Sequence, residues 1–409
     1  MIHRSSPRLA FLALAALAVA GPAAAAPAWV GAWASAQMVS PADPALSAAG
    51  AGGATVRQLV RLTLGGPVLR VRVSNAFGDK PLIVKGLHVA RALSTTTAAV
   101  DPASDRAATF GGQAEAVVPP GAEYWSDPIG LPTEAGEHLA VSLWVVQPPP
   151  VLTGHPGSRA TTYVAAGDQL AAGDLPGAEK VEHWFLLSGV DVDQAGAGAV
   201  VTLGDSITDG HAATTNGDDR WPDVLSQRLT AAGAPLGVLN QGIGGNRVLL
   251  DGLGPNAMSR FDRDVLSQTG VRAVLVLEGV NDLGVLTRDA PVADAGHQAL
   301  VAAIEAGYGQ MIAAAHAHGL RILGATITPY VGSDYYHPSA VNEADRQAIN
   351  AWIRAPGHFD GFVDFDATVR DPARPDHLLA AFDSGDHLHP SPAGYKAMGQ
   401  AVDLKLLQP

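Results

Sequence analysis

Two kinds of hydrophobic spacing divide this chain. In its first half apolar and polar residues alternate, the period of a strand with one buried face. Residues 56–64 (Val-Arg-Gln-Leu-Val-Arg-Leu-Thr-Leu) and 68–74 (Val-Leu-Arg-Val-Arg-Val-Ser) both follow it, and the Gly65-Gly66-Pro67 between them predicts a hairpin turn. Further strands are predicted over 82–90, 114–118, 139–146 and 181–190, with Gly, Pro, Asp and Ser in the gaps. Helical spacing is scarce here, and Pro148-Pro149-Pro150 reads as a stiff connector. Many short strands with regular punctuation predict an all-β sandwich, jelly-roll-like in outline.

After the small, flexible Gln194-Ala195-Gly196-Ala197-Gly198 the spacing changes to strand–helix alternation. A domain boundary is expected there, with a β-sandwich accessory domain over 27–195 and a second domain over 196–409. Strands are predicted at 200–203, 236–239, 271–277, 320–326 and 361–365. Helices are predicted at 221–232, 260–268, 291–318 and 343–354. Gly319 ends the third, and Ser391-Pro392 opens a last one as N-cap and first helical residue. The run at 271–277 is almost wholly apolar, as a strand covered on both faces should be. The pattern predicts a parallel sheet with helices on both sides, a three-layer α/β/α domain.

Composition narrows the function. The chain has 409 residues, 47% apolar and 16% charged, enough for a sizeable core. Its net charge of −13 argues against nucleic acid or an anionic membrane surface as partner, since both reward basic patches. With no cysteine, disulfides, thiolate chemistry and cysteine-ligated metals are excluded. Residues 1–26 read as a secretory signal peptide. His3, Arg4 and Arg8 form a basic start, Leu9 to Ala20 an apolar stretch, and Ala23 to Ala26 a small-residue processing site. The apolar stretch is too short to span a bilayer, so a secreted or periplasmic protein with no remaining membrane span is expected.

The candidate chemistry begins where the second pattern begins. Val200-Val201-Thr202-Leu203 runs into Gly204-Asp205-Ser206, a buried strand ending in a tight turn with a serine at its tip. Open α/β sheets place their chemistry at that carboxyl end. Alone, Ser206 reads as readily as a turn residue capping the next helix. It does not sit in Gly-x-Ser-x-Gly, because Thr208 holds the second position after it. A hydroxyl also needs a base before it is a useful nucleophile at neutral pH. Asp386 lies three residues before His389, within reach of its Nδ1–H, and Pro390 follows. His387 competes as the base, and Asp383 as the carboxylate.

Four blocks stand in order: Gly204-Asp205-Ser206, Asn240-Gln241-Gly242-Ile243-Gly244-Gly245-Asn246, Gly279-Val280-Asn281-Asp282 and Asp386-His387-Leu388-His389-Pro390. Together they resemble the SGNH (GDSL-type) hydrolase superfamily, over about half the chain from Gly198 onward. The resemblance implies Ser206 as nucleophile, His389 as base through the pattern Asp-x-x-His-Pro, and Asp386 as its orienter. It implies an oxyanion hole from the Ser206 and Gly245 backbone N–H groups and the Asn281 amide, with Gly244 as the near alternative. No cofactor and no metal are expected. Metal binding is the weakest alternative: Asp386, His387 and His389 offer a site in principle, and His316 and His318 face different directions on a helix. The glycines of the second block lack the pattern of a phosphate loop.

Glu278 and Arg247 flank the two oxyanion blocks; they are read either as a bracing pair or as unrelated surface charges. Tyr330, Tyr335, Tyr336 and His337 are read as lining a sugar or acyl pocket or as surface decoration. The expected function is a secreted esterase acting through an acyl-enzyme on small-molecule or polysaccharide esters, with acetyl esters of carbohydrates foremost. The alternatives are a lipase or arylesterase on short-chain esters, an acyltransferase, and a non-catalytic glycan-binding protein.

Overall fold

The computed structural model describes residues 27–40 and 52–407, with isolated positions 1, 3, 44 and 46. The stretch read as a signal peptide lies outside the described residues, but for two of those positions. Among the described residues no helix is long and apolar enough to cross a membrane.

The second half holds a five-stranded parallel sheet. Its order is Leu236–Gly242, Gly198–Gly204, Val271–Leu277, Arg321–Ala325 and Phe362–Val363. Every residue of Gly198–Gly204 is buried, which explains its unbroken apolar run. Counted along the chain, the order is 2-1-3-4-5. The connections therefore leave the first strand toward opposite sides, and the crevice at such a reversal is where an open sheet binds ligands. Ser206 lies at the end of that first strand.

The helices Trp221–Ala231, Asp294–Ala317, Ala340–Arg354 and Pro392–Ala401 fall where the spacing predicts them. Ser391 caps the last by accepting from the Gly394 N–H. Two elements differ. The helix expected at 260–268 is a short α-helix, Ala257–Phe261, continued by a π-turn, Asp262–Leu266. A helix at Val280–Arg288 was not expected. Its first turn buries Asn281 and Asp282, polar residues that mask the apolar period a surface helix shows.

The first half is antiparallel. One sheet orders Trp29–Ala34, Leu187–Asp193, Leu69–Ser74 and Glu123–Trp125; another orders His183–Phe185, Leu152–Pro156 and Met38–Ser40. The largest runs Glu179–Val181, Thr162–Ala166, Ala54–Arg61, His138–Val146, Leu82–Arg91 and Arg106–Ala108. The hairpin expected around Gly65-Gly66-Pro67 does not form: Ala54–Arg61 and Leu69–Ser74 lie in different sheets. Those glycines serve close approach instead. A Cβ on Gly65 would sit 2.3 Å from the Thr133 carbonyl oxygen, and one on Gly66 2.7 Å from that of Asp193. The strand expected at 181–190 is three short strands in three sheets, broken at Leu186, whose φ is +59°.

The two halves share one hydrophobic core, with members from Val30 to Leu407. Trp29–Ala34 lies against the edge strand Leu236–Gly242. A Cβ on Gly237 would meet the Gly31 carbonyl oxygen at 2.3 Å. Thr63 Oγ1 accepts from the Val238 N–H at 2.9 Å and donates to the Ala32 carbonyl at 2.6 Å. The exposed edge of the parallel sheet is thus covered by the first half of the chain.

Candidate active site

Ser206 opens a four-residue helix, Ser206–Asp209, directly after the strand. Asp205 is its N-cap, with the carboxylate accepting from the Ile207 N–H at 2.8 Å. Gly210 ends it with φ +100°. A side chain there would be strained and would run into Arg220, 2.5 Å from an added Cβ.

Ser206 Oγ stands 2.8 Å from His389 Nε2. His389 Nδ1 stands 2.6 Å from Asp386 Oδ2. A carboxylate only accepts, so the proton sits on Nδ1 and Nε2 offers its lone pair to the serine. Burial works to raise the Asp386 pKa. The His389 ring and the His389 and Leu388 backbone N–H groups outweigh it, holding the carboxyl well below its ordinary range. His387 turns away: its φ is +58°, and its ring bonds Asp383 at 2.5 Å on the surface. Asp383 is therefore the partner of His387, not of His389.

This line opens onto a cavity of about 800 Å³ whose walls include Ser206, Gly244, Gly245 and Asn281. Gly245 takes φ +70°, a region that favours glycine. The Asn281 amide is clamped at both ends. Its Oδ1 accepts from the Tyr336 hydroxyl at 2.6 Å, and its Nδ2 donates to the Asn246 carbonyl at 2.7 Å. One of its two amide hydrogens is left for the cavity. Tyr336 is only 2% exposed, and its ring fits because residue 284 is glycine: a Cβ there would lie 2.4 Å from the ring. Asp282 ties the same helix to the chain just after the second block, accepting from Val248 and Leu249 N–H at 2.8 and 3.2 Å. Burial raises its pKa to about 6 against the pull of those bonds.

Under this wall lies a buried polar cluster. The Arg260 guanidinium bonds the Asn246 side chain, the Gln241 and Gly204 carbonyls, Asp264 and Glu278. Glu278 and Arg247 do not form a bracing pair, and Glu278, 1% exposed, is not a surface charge either. Arg247 donates instead to the Leu250 and Asp251 carbonyls. Adjacency in sequence to the two blocks gave no guide to which arginine enters the core. Burial pushes Glu278 well above its ordinary pKa, and the nearby Asp205 adds to it. Asp205 is raised by burial too, with Asp282 and Asp209 contributing.

Of the aromatic loop, Tyr335 and Tyr336 line the cavity while Tyr330 is fully buried. Three residues at the site carry no signal in the sequence reading. His211 packs against the His389 ring, and Arg159 and His155 reach the serine turn from the first half. Their contacts span 52 and 54 residues, beyond any local spacing rule. His155 is buried and sits 2.8 Å from both Asp209 Oδ1 and the Ala36 carbonyl.

No metal set converges on Asp386, His387 and His389, since His387 faces Asp383. Among the described residues, only His211, Asp386 and His389 bring three potential ligand atoms within 4.8 Å. Two of those three are already bound to one another. His316 bonds Asp360 at 3.0 Å and His318 the Ala314 carbonyl at 2.9 Å, so neither is a ligand to the other's partner.

Residues 202–397 match the GDSL-like Lipase/Acylhydrolase family. No curated protein matches the chain. Solved structures similar to it include an acetylxylan esterase from Geobacillus stearothermophilus, 21% identical, covering 51% of this chain and 94% of that one (TM-score 0.39). A GDSL-like lipase from Bacteroides thetaiotaomicron is 17% identical over 51% and 87% (TM-score 0.37). A lipase/acylhydrolase from Enterococcus faecalis is 20% identical over 50% and 92% (TM-score 0.35). The family match covers all four sequence blocks, and it assigns this second half of the chain to the GDSL-like lipase/acylhydrolases, as a carboxylic ester hydrolase region.

Proposed function

We propose that this protein is an exported serine esterase that cleaves short acyl esters, acetyl esters of carbohydrates above all, through an acyl-enzyme. The observation that carries the reading is the hydrogen-bonded line Ser206–His389–Asp386 opening onto the 800 Å³ cavity. Ser206 Oγ attacks the ester carbonyl carbon while His389 Nε2 takes its proton, and Asp386 steadies the imidazolium. The negative oxygen of the tetrahedral intermediate takes hydrogen bonds from the Ser206 and Gly245 N–H groups and the remaining Asn281 amide hydrogen. Collapse breaks the carbonyl–alkoxy bond, and His389 returns the proton to the leaving alcohol. Water, deprotonated by His389, then attacks the acyl-serine; the acid leaves and Ser206 regains its proton.

The substrate class rests on the cavity wall. Tyr335 is 60% exposed there, with the Arg288 guanidinium 5.6 Å from its ring centre. An open aromatic face edged by guanidinium donors suits a sugar ring and its hydroxyls. The antiparallel sheets of the first half read as a jelly-roll-like sandwich set before a three-layer α/β/α domain, and lectin domains share that sandwich architecture. The basic and apolar start of the chain supports export. Leu253, 72% exposed on the same cavity, favours the second reading, a short-chain lipase or arylesterase.

The test is a panel of p-nitrophenyl esters of increasing acyl length beside acetylated xylan, pectin and chitin fragments. The reading predicts fastest turnover of acetyl esters and release of acetate from at least one glycan. Preference for longer chains with no glycan deacetylation selects the lipase reading. No turnover at all returns the protein to a glycan-binding role.

A further inference from the structure

His211 sits where none of the four blocks calls for a histidine. Its ring lies against that of His389, with centroids 4.0 Å apart and planes tilted by 40°. Its backbone is pinned on both sides: its N–H donates to the Ser206 carbonyl at 2.8 Å, and its carbonyl accepts from the Tyr395 hydroxyl at 2.6 Å. Arg159 Nη2 is 3.1 Å from His211 Nδ1. A guanidinium has no acceptor, so Nδ1 carries the lone pair and the proton of the neutral ring sits on Nε2. That nitrogen is 4.0 Å from Asp386 Oδ2.

Arg159 arrives from the antiparallel half, just past Leu152–Pro156. It is held at φ +51°, with its carbonyl accepting from the N–H of Asn216, itself at φ +62°. Ala212, beside His211, is at φ +65°. Three non-glycine residues in the left-handed region at one junction persist only where the surroundings over-determine them, a state that clusters at functional sites.

We propose that Arg159 and His211 are positioning residues for the base. The arginine holds His211 neutral, Nε2-protonated and packed against the His389 ring, so that the antiparallel half governs how readily His389 carries the proton taken from Ser206. This rests on the Ser206–His389–Asp386 reading. A neutral ring face accommodates an imidazolium forming over it; a protonated one opposes it by like charge at short range. The groups facing His211 are His389, Arg159, Asp386 and Asp209. Burial, then His389 and Arg159, lower its pKa, and the two carboxylates pull the other way. Without Arg159 the pKa of His211 rises toward its ordinary value, and the ring gains a proton as the pH falls toward 6.

The experiment uses the full chain with Arg159→Ala, His211→Phe and the double variant, measuring kcat and KM for p-nitrophenyl acetate from pH 6 to 9. Arg159→Ala should lose about threefold in kcat at pH 8 and about tenfold at pH 6, with KM little changed. His211→Phe keeps a ring on His389 but cannot take a proton, so its ratio to wild type should not depend on pH. The double variant should match His211→Phe, because Arg159 acts through His211. An Arg159→Ala loss that is the same at every pH, or a double variant that loses the product of the two singles, overturns the proposal. If Arg159→Ala fails to fold, Arg159→Gln, which keeps an N–H donor, takes its place with a smaller acid-side loss and the same contradictory outcomes. Fluorophosphonate labelling separates the two readings. An unlabelled Ser206 in the wild type sinks the nucleophile assignment, whereas labelled variants with pH-independent ratios sink only the pairing.

Discussion

Two segments brace the Ser206–His389 pair, and they do so in opposite ways. The loop at 383–391 carries its own partner, since Asp386 orients His389 across three residues of chain. The segment at 152–161 comes from the other half of the molecule and touches the serine turn only through tertiary contacts, His155 to Asp209 and Arg159 to His211. The first kind of contact is written into spacing. The second exists only because the first half covers the edge of the parallel sheet and shares its core. A site can thus look self-contained in sequence while a distant part of the chain holds it in place.

The largest expected effect tests the local segment. His389→Ala should lower kcat by about 10⁴-fold or more, matching Ser206→Ala, because nucleophile and base act as one unit. His387→Ala should keep most activity, since its ring faces Asp383 on the surface. Assays of p-nitrophenyl acetate on variants checked by circular dichroism decide it; an active His389→Ala beside a dead His387→Ala reverses the assignment.

The distant segment is tested by stability. His155→Ala leaves Asp209 buried without its partner, where side-chain exposures are 3% and 6%. Removing one member of a buried hydrogen-bonded pair typically costs ~3–5 kcal/mol. Urea unfolding should show that loss, with a matching fall in melting temperature. A variant as stable as wild type would mean that the two halves are joined elsewhere.

Asn281 and Tyr336 refine the comparison, one legible and one half-legible. Asn281→Ala should lower kcat by about 10²–10³-fold with little change in KM, as for an oxyanion donor. Tyr336→Phe removes only the bond that fixes the amide and should cost about tenfold, again in kcat. A change in KM alone for either variant would make the pair a ground-state contact.

What the sequence disclosed follows the same division. The parallel strands, their helices and the serine turn were legible because an apolar run or a cap is a local property of consecutive residues. In the antiparallel half alternation located the long strands Ala54–Arg61, Leu69–Ser74, Leu82–Arg91 and His138–Val146 but not their partners, and it missed Trp29–Ala34, Leu152–Pro156 and Thr162–Ala166. Gly65-Gly66 looked like a hairpin and is a crossover between sheets, because glycine marks close approach as readily as a turn. Leu186 at φ +59° broke one predicted strand into pieces that no period-2 pattern could separate. Tyr336 stands in an aromatic loop that reads as pocket lining or as surface decoration, and its bond to Asn281 spans 55 residues. His155 and Arg159 were silent for the same reason.

The smallest effect concerns the acids beneath the Asn281 wall of the cavity. Burial raises the pKa of Asp282 to about 6 and of Glu278 well above its ordinary value. The folded state then keeps protons that the unfolded chain loses above about pH 4, so this cluster's contribution to stability falls as pH rises from about 4 through 6. Glu278→Gln, neutral at every pH, should leave the melting temperature little changed near pH 4 and raise it by a few degrees near pH 8. Melting curves at the two pH values check this; a lower melting temperature at pH 8 would show an ionised Glu278 serving Arg260.

The most direct measurement on the whole account is intact-mass and peptide-mass analysis after treatment with a fluorophosphonate ester. The account predicts one adduct, on Ser206, formed by the wild-type chain and by His387→Ala, and almost none with His389→Ala. An adduct on another residue, or full labelling of Ser206 without His389, would contradict it.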